Sequence, residues 1–331
     1  MTRVSVLGCG SWGTALAFLA AQRQAEVILW SREPAQVEEI NLQRTNARYL
    51  PGIVLPGQIR ATTNLAEAGD AEMVLFVVPS RAVRIVADHA VLAGLRPDAI
   101  LLSCTKGIER DTGLRMSEIL AHHFPNNPVA VLSGPNHAEE IVRGQAAAAV
   151  IGSSNPEAAR QLQQFFTLPW FRTYTSDDVT GIEWGAAAKN VFAIAAGICE
   201  GLGLGDNAKA ALLTRGLAEM VRLGVAEGGR PETFQGLSGI GDLIVTCFSR
   251  HSRNHRVGQL VGEGKTVAEI SASMHMVAEG VPNAESIYLA ARRHGVRTPI
   301  IDQVYCILHQ GKPCASALAE LLSRDLRAEN S

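Results

Sequence analysis

The sequence predicts an α/β protein in which a doubly wound sheet of parallel strands is followed by an all-α domain. Three observations carry this expectation. Short runs rich in Val, Ile and Leu alternate with helix-length segments through the first half of the chain. A glycine pattern joins the first run to the first helical segment. Beyond Thr180 strand signals become few, while helical patterns continue to the C-terminus. At 331 residues the chain exceeds usual single-domain size, so two domains sharing one interface are expected.

Taken in order, residues 4–7, 26–30, 73–78, 100–104 and 129–132 are short apolar runs of the kind that form parallel strands buried on both faces. Between them, 11–22, 35–45, 81–94 and 113–122 have helical length and pattern. Repetition of strand, helix, strand implies a doubly wound sheet. Runs 147–151 and 171–175 flank a helical segment at 156–166 and extend the same sheet. From residue 181 onward, 183–199, 208–226, 266–273, 282–294, 298–309 and 315–326 read as helices. The division is therefore drawn at 1–180 and 181–331. Glycine-rich joints at 201–205, 228–229 and 236–241 are interleaved with apolar residues, which marks turns rather than a flexible linker.

Composition narrows the function classes. Apolar residues make up 47% and charged residues 19%, enough for a large core and too little charge for disorder. Thirty Lys and Arg against 32 Asp and Glu argue against a general polyanion binder, so nucleic acid is not an expected partner. Six cysteines, Cys9, Cys104, Cys199, Cys247, Cys306 and Cys314, are scattered without C-x-x-C spacing, which favours reduced thiols in a cytoplasmic protein over disulfides or a metal site. The first apolar stretch is cut by Gly8-Cys9-Gly10 and lacks a cleavage context, so it is not read as a signal peptide. No stretch holds eighteen uninterrupted apolar residues, so no membrane span is expected.

Gly8-Cys9-Gly10-Ser11-Trp12-Gly13 fits G-x-G-x-x-G directly after the first strand and opens the first helix. Glycine there lets the backbone turn sharply and approach a pyrophosphate, whose charge suits the N–H groups and dipole of a helix start. This gives a Rossmann-type dinucleotide site. The second strand ends in Trp30-Ser31-Arg32, with no acid where an NAD-specific site usually places one against the ribose. Ser31 as a donor and the fork of Arg32 suit a 2′-phosphate, so NADP is the expected cofactor with NAD not strongly excluded. A solvated arginine at a strand end is the plainer reading.

Several polar residues follow strand ends, where open α/β sheets bind ligands. Lys106 lies beyond run 100–104, and Ser133-Gly134-Pro135 beyond run 129–132. A loop lysine is ordinarily solvated, so Lys106 alone carries little. Lys189 is more informative: it stands in an otherwise small, apolar helix (residues 185–197) and must snorkel, pair or lose its proton readily. Asp242, between glycine-rich backbone and Leu243-Ile244-Val245, is a candidate partner, with a helix cap as the alternative. Residues 250–256 (RHSRNHR) gather three arginines and two histidines, fitting a phosphate-sized dianion or a solvated basic face.

Taken together, residues 8–15 (GCGSWGTA), 105–109 (TKGIE), 133–135 (SGP), the 185–197 helix, 213–216 (LTRG), 239–243 (GIGDL) and 251–254 (HSRN) resemble bacterial-type NAD(P)-dependent glycerol-3-phosphate dehydrogenases over nearly the whole chain. The resemblance implies interconversion of sn-glycerol 3-phosphate and dihydroxyacetone phosphate with NADPH or NADH, feeding phospholipid synthesis. Lys189 falls on the family's general acid/base lysine and Lys106 on its other active-site lysine. Gly134, Asn136, Asp242, Ser252, Arg253 and Asn254 fall on substrate-contacting positions. Ser11, Trp12, Arg32, Lys106, Ala138, Arg253, Val277 and Glu279 correspond to cofactor contacts, with Tyr49 a weaker one. After residues 133–135 the family commonly has Thr or Ser and an aromatic; here Asn136-His137 stand instead.

A ketone reduction needs hydride at carbon and a proton at oxygen, and Lys189 is the expected proton donor. Burial beside a second cation, Lys106, can bring a lysine from about 10.4 to roughly 7 to 8. Asp242 would orient the ammonium, and Arg253 with Asn254 and Ser252 would hold the phosphate. Two rivals remain at this stage: a lysine-dependent dehydrogenase of hydroxy acids or sugar acid phosphates, and a non-catalytic dinucleotide sensor. The helical domain could also make a homodimer, and the sequence leaves the oligomeric state open.

Overall fold

A computed structural model describes residues 1–274, 278–326 and 328. Eight strands form one sheet: β1 (Arg3–Leu7), β2 (Glu26–Trp30), β3 (Ile59–Thr62), β4 (Met73–Phe76), β5 (Ile100–Ser103), β6 (Val129–Ser133), β7 (Ala147–Ser153) and β8 (Phe171–Ser176). Their order is β3-β2-β1-β4-β5-β6-β7-β8, and every neighbouring pair is parallel except β6–β7. All residues of β4 and β5 are buried, as expected of central strands covered by helices on both faces. The order reverses between β1 and β4, which opens a crevice at the carboxyl ends of the strands. Strand β3 is the strand that apolar patterning missed. It is four residues long, lies at the sheet edge, and exposes Arg60.

The second half is helical around Val179–Gly201, whose residues from Gly181 to Ile198 are all buried. An apolar helix of this kind is stable only when surrounded. Helices Asp206–Ala226, Asp242–Phe248, Arg253–Gly262, Gly280–Arg293 and Pro299–Gln310 surround it. Its N-terminus is capped by Asp178, which accepts from the Gly181 amide at 2.9 Å. Against Arg253–Gly262 the two backbones touch. A methyl on Gly197 would overlap the His255 carbonyl, and one on Gly258 would overlap the Ile194 carbonyl. Gly201 and Gly262 continue the same seam. Helices 242–248 and 253–262 were not foreseen, because the first is short and the second buries Asn254, His255 and Gly258 beside only three apolar side chains.

Polar ties join the two halves. Buried Glu183 accepts from the Ser117 amide at 2.9 Å, from Arg115 Nη1 at 3.1 Å and from the Ser117 hydroxyl. Glu279 accepts from the Ser80 hydroxyl at 2.6 Å and the Ser80 amide at 3.2 Å. Asn283 donates to the Lys106 carbonyl at 3.2 Å. The last two ties lie next to the crevice.

Candidate active site

Three charged side chains from distant parts of the sequence meet where the halves join. The loop after β5 carries Lys106 and is pinned by Thr105, whose hydroxyl donates to the Val78 carbonyl at 2.7 Å. Lys106 Nζ donates to the Gly134 carbonyl at 3.1 Å, Asn136 Oδ1 at 2.9 Å and Asp242 Oδ2 at 2.7 Å. Gly134 can offer that carbonyl because its φ is +138°, and a Cβ there would stand 2.9 Å from Ala149 Cα. The other oxygen of Asp242 accepts from Lys189 Nζ at 2.8 Å. One carboxylate thus bridges two ammonium groups. Asp242 reaches this point because it follows a kinked turn at Leu237–Gly241, where Gly239 leaves helical geometry.

Lys189 is 6% exposed and Asp242 1%. Burial pushes the Lys189 ammonium down to about 8; Asp242 opposes that fall and Lys106 adds to it. Burial pushes Asp242 upward, but the two lysines together outweigh it and hold the carboxyl below its ordinary range. Thr246, one turn beyond Asp242, accepts from Lys189 Nζ at 2.6 Å and donates to the Asp242 carbonyl at 2.6 Å. Sequence reading missed Thr246, although its i+4 spacing from Asp242 puts both on one helix face.

The phosphate-binding candidates divide. Ser252 caps the helix Arg253–Gly262 by accepting from the His255 amide at 3.2 Å. Arg253, in the first turn, is exposed and lies within the field of the Glu139 and Glu279 carboxylates. Asn254 spends its amide on structure: Nδ2 donates to Asn190 Oδ1 at 2.8 Å, and Oδ1 accepts from the Gly280 amide at 2.9 Å. Because Asn190 adjoins Lys189, this bond ties the Arg253 turn to the lysine helix. The rest of the basic run is scattered by its helix. Arg256 donates to Gln259, and His255 pairs with Glu200 at 3.3 Å.

At the cofactor end, Gly8 has φ +121° and packs against the Val77 backbone, while a Cβ on Gly13 would overlap the Gly8 carbonyl. Gly10 faces open space and caps the helix Ser11–Gln22 without any side-chain bond. Tight glycines behind and an uncapped helix start in front fit a pyrophosphate. Ser11 donates to the Tyr49 carbonyl at 2.9 Å, and buried Ala138 packs with Ala15 and Leu50 on the same side. Trp12 Nε1 is buried without a partner. Arg32 is exposed beside Glu33 at 3.4 Å. Ser31 is not free: it is buried, and its hydroxyl donates to Gln36 Oε1 at 2.7 Å. Glu279 is occupied by Ser80, and Val277 lies outside the described residues. Among the described residues no group of three or more His, Cys, Asp and Glu could hold a metal ion, and no helix is long and apolar enough to cross a membrane.

Comparison with known proteins adds a family. Residues 3–159 match the profile described as NAD-dependent glycerol-3-phosphate dehydrogenase N-terminus, and 178–319 the corresponding C-terminus. A glycerol-3-phosphate dehydrogenase (NAD(P)+) of Leuconostoc mesenteroides is 48% identical over 100% of both chains. Its counterpart from Enterococcus faecalis is 46% identical, covering 99% of this chain and 97% of the relative. The crystal structure of glycerol-3-phosphate dehydrogenase from Coxiella burnetii aligns with a TM-score of 0.93 at 37% identity, covering 98% of this chain and 99% of that one.

Proposed function

The chain belongs to the NAD-dependent glycerol-3-phosphate dehydrogenase family and is an NAD(P)-dependent oxidoreductase interconverting sn-glycerol 3-phosphate and dihydroxyacetone phosphate; on that premise we propose that Lys189, held by Asp242, carries the proton. The bound nicotinamide supplies or removes hydride at the substrate carbon. In reduction the Lys189 ammonium gives its proton to the carbonyl oxygen. In the reverse direction the neutral amine takes the hydroxyl proton, and a value lowered by burial to about 8 lets both forms exist at working pH. Asp242 and Thr246 aim Nζ, so little reorganisation is needed at the moment of transfer.

Lys106 adds a second positive charge beside the developing oxyanion. Asn136 keeps its Oδ1 on Lys106 and leaves Nδ2 without a protein partner, available to a substrate oxygen. Arg253 takes the phosphate, whose binding energy fixes the reacting end. Gly8, Gly10, Gly13, Trp12, Tyr49 and Ala138 would hold the dinucleotide, and Arg32 would favour the extra phosphate of NADP. We divide the chain functionally at 180/181, with the glycine-rich cofactor site on one side and the proton-bearing Lys189 and the phosphate-binding Arg253 on the other. Product glycerol 3-phosphate suits supply of the phospholipid backbone, and six unpaired cysteines support a cytoplasmic setting.

The observation that carries this reading is the single carboxylate shared by two lysines. Lys189→Ala tests it: turnover of dihydroxyacetone phosphate, followed at 340 nm with NADPH and then NADH, should fall by roughly 100-fold or more while NADPH affinity stays within about twofold. Near-normal kcat in the variant removes Lys189 from the mechanism.

A further inference from the structure

Building on that reaction, we infer that His137 binds the free hydroxyl group of the three-carbon substrate and so sets specificity for it. Adjacent residues in the loop after β6 present two shielded atoms with no hydrogen-bond partner, Asn136 Nδ2 and His137 Nε2. Buried polar groups are nearly always paired, and leaving one unpaired costs about 1–3 kcal/mol. Two such atoms side by side, next to Lys106 and Asp242, are best understood as half of a set of bonds that the substrate completes.

The imidazole lies at the reacting end of the cleft. The charges acting on it most strongly are those of Lys189 and Lys106, followed by Asp242. The His251 ring lies 5.9 Å away between centroids. Burial, with both ammonium groups adding to it, drives His137 down to about 4, so the ring is neutral at working pH. A neutral ring is a poor partner for a phosphate dianion, for which Arg253 is better suited. The carbonyl oxygen is taken by Lys189. The polar group left over is the terminal hydroxyl, which both donates and accepts and therefore pairs with either imidazole tautomer.

The test compares dihydroxyacetone phosphate with its deoxy analogue, hydroxyacetone phosphate lacking the free hydroxyl, as substrates for wild type, His137→Phe and His137→Gln. We expect the wild-type kcat/KM ratio of the two substrates to shrink at least about tenfold in His137→Phe, the loss of roughly one hydrogen bond, through poorer use of the natural substrate alone. His137→Gln, which keeps a donor and an acceptor, should retain most of the ratio. An equal fall for both substrates in His137→Phe, leaving the ratio within twofold, overturns the inference, as does loss of the ratio in His137→Gln equal to that in His137→Phe. Failure of the wild type to reduce either compound would instead overturn the reaction on which the inference rests.

Discussion

Replacing Asp242 by Asn removes the negative charge that bridges the buried Lys189 and half-buried Lys106 ammonium groups while nearly preserving shape. In the native site Lys189 stands at about 8 because burial lowers it and Asp242 partly restores it. Without the carboxylate the ammonium loses the partner 2.8 Å away and keeps Lys106 as a like-charged neighbour. An opposite charge at this range is worth about 1–3 pH units, so the Lys189 transition should fall to between about 5 and 7. Ketone reduction needs the protonated form and declines about tenfold per pH unit above the transition. At pH 7.5 the charged fraction therefore drops by roughly 3- to 200-fold, before any loss from misorientation. Initial rates of NADPH oxidation with saturating dihydroxyacetone phosphate between pH 5.5 and 9.5 show the limb directly, with cofactor fluorescence titration checking that binding survives. A limb that stays near 8, or moves to higher pH, refutes the assignment of Asp242 as the group that sustains the charge on Lys189.

Two further outcomes concern the scaffold. Burial raises Glu219 to about 7 although it accepts from the Ile300 and Ile301 amides. Because its folded value lies above its unfolded one, its contribution to stability is full below about pH 4.5 and is lost as pH climbs through 7, on the order of 3 kcal/mol. Thermal melts of Glu219→Gln, which does not titrate, should gain on wild type between pH 5 and 7.5; a constant difference across that range contradicts the assignment. Gly258→Ala should destabilise by on the order of 1–3 kcal/mol and raise KM for dihydroxyacetone phosphate more than it weakens NADPH, because the methyl meets backbone that cannot yield. An unchanged melting temperature counts against the contact.

What could be read from the sequence follows from physics rather than luck. Strands β4 and β5 are buried on both faces, so their residues are continuously apolar and easy to see. Strand β3 mixes an exposed arginine into four residues and carries no such signal. Lys189 stood out because nothing else in its helix is charged from 184 to 199. Its bond to Asp242, 53 residues away, could be suggested but not located, and the bond from Lys106 spans 136 residues. Asn254 was expected to contact substrate because it falls on a substrate-contacting position of the family it resembles. Its bonds to Asn190 and Gly280, which tie distant helices together, leave no trace in local pattern. Ser31 is a similar case: a hydroxyl at a strand end looks free until Gln36 is seen to accept from it.

The four glycines along the seam between Val179–Gly201 and Arg253–Gly262 do more than permit close packing. With no side chains to act as springs between the two helices, the proton-bearing amine and the guanidinium hang from one stiff caliper whose jaws have a fixed gap. If those two groups act as proposed, selection by carbon-chain length belongs to the main chain, and redesign for longer phosphorylated ketones would have to begin by resetting that gap rather than by repainting the walls of the cleft.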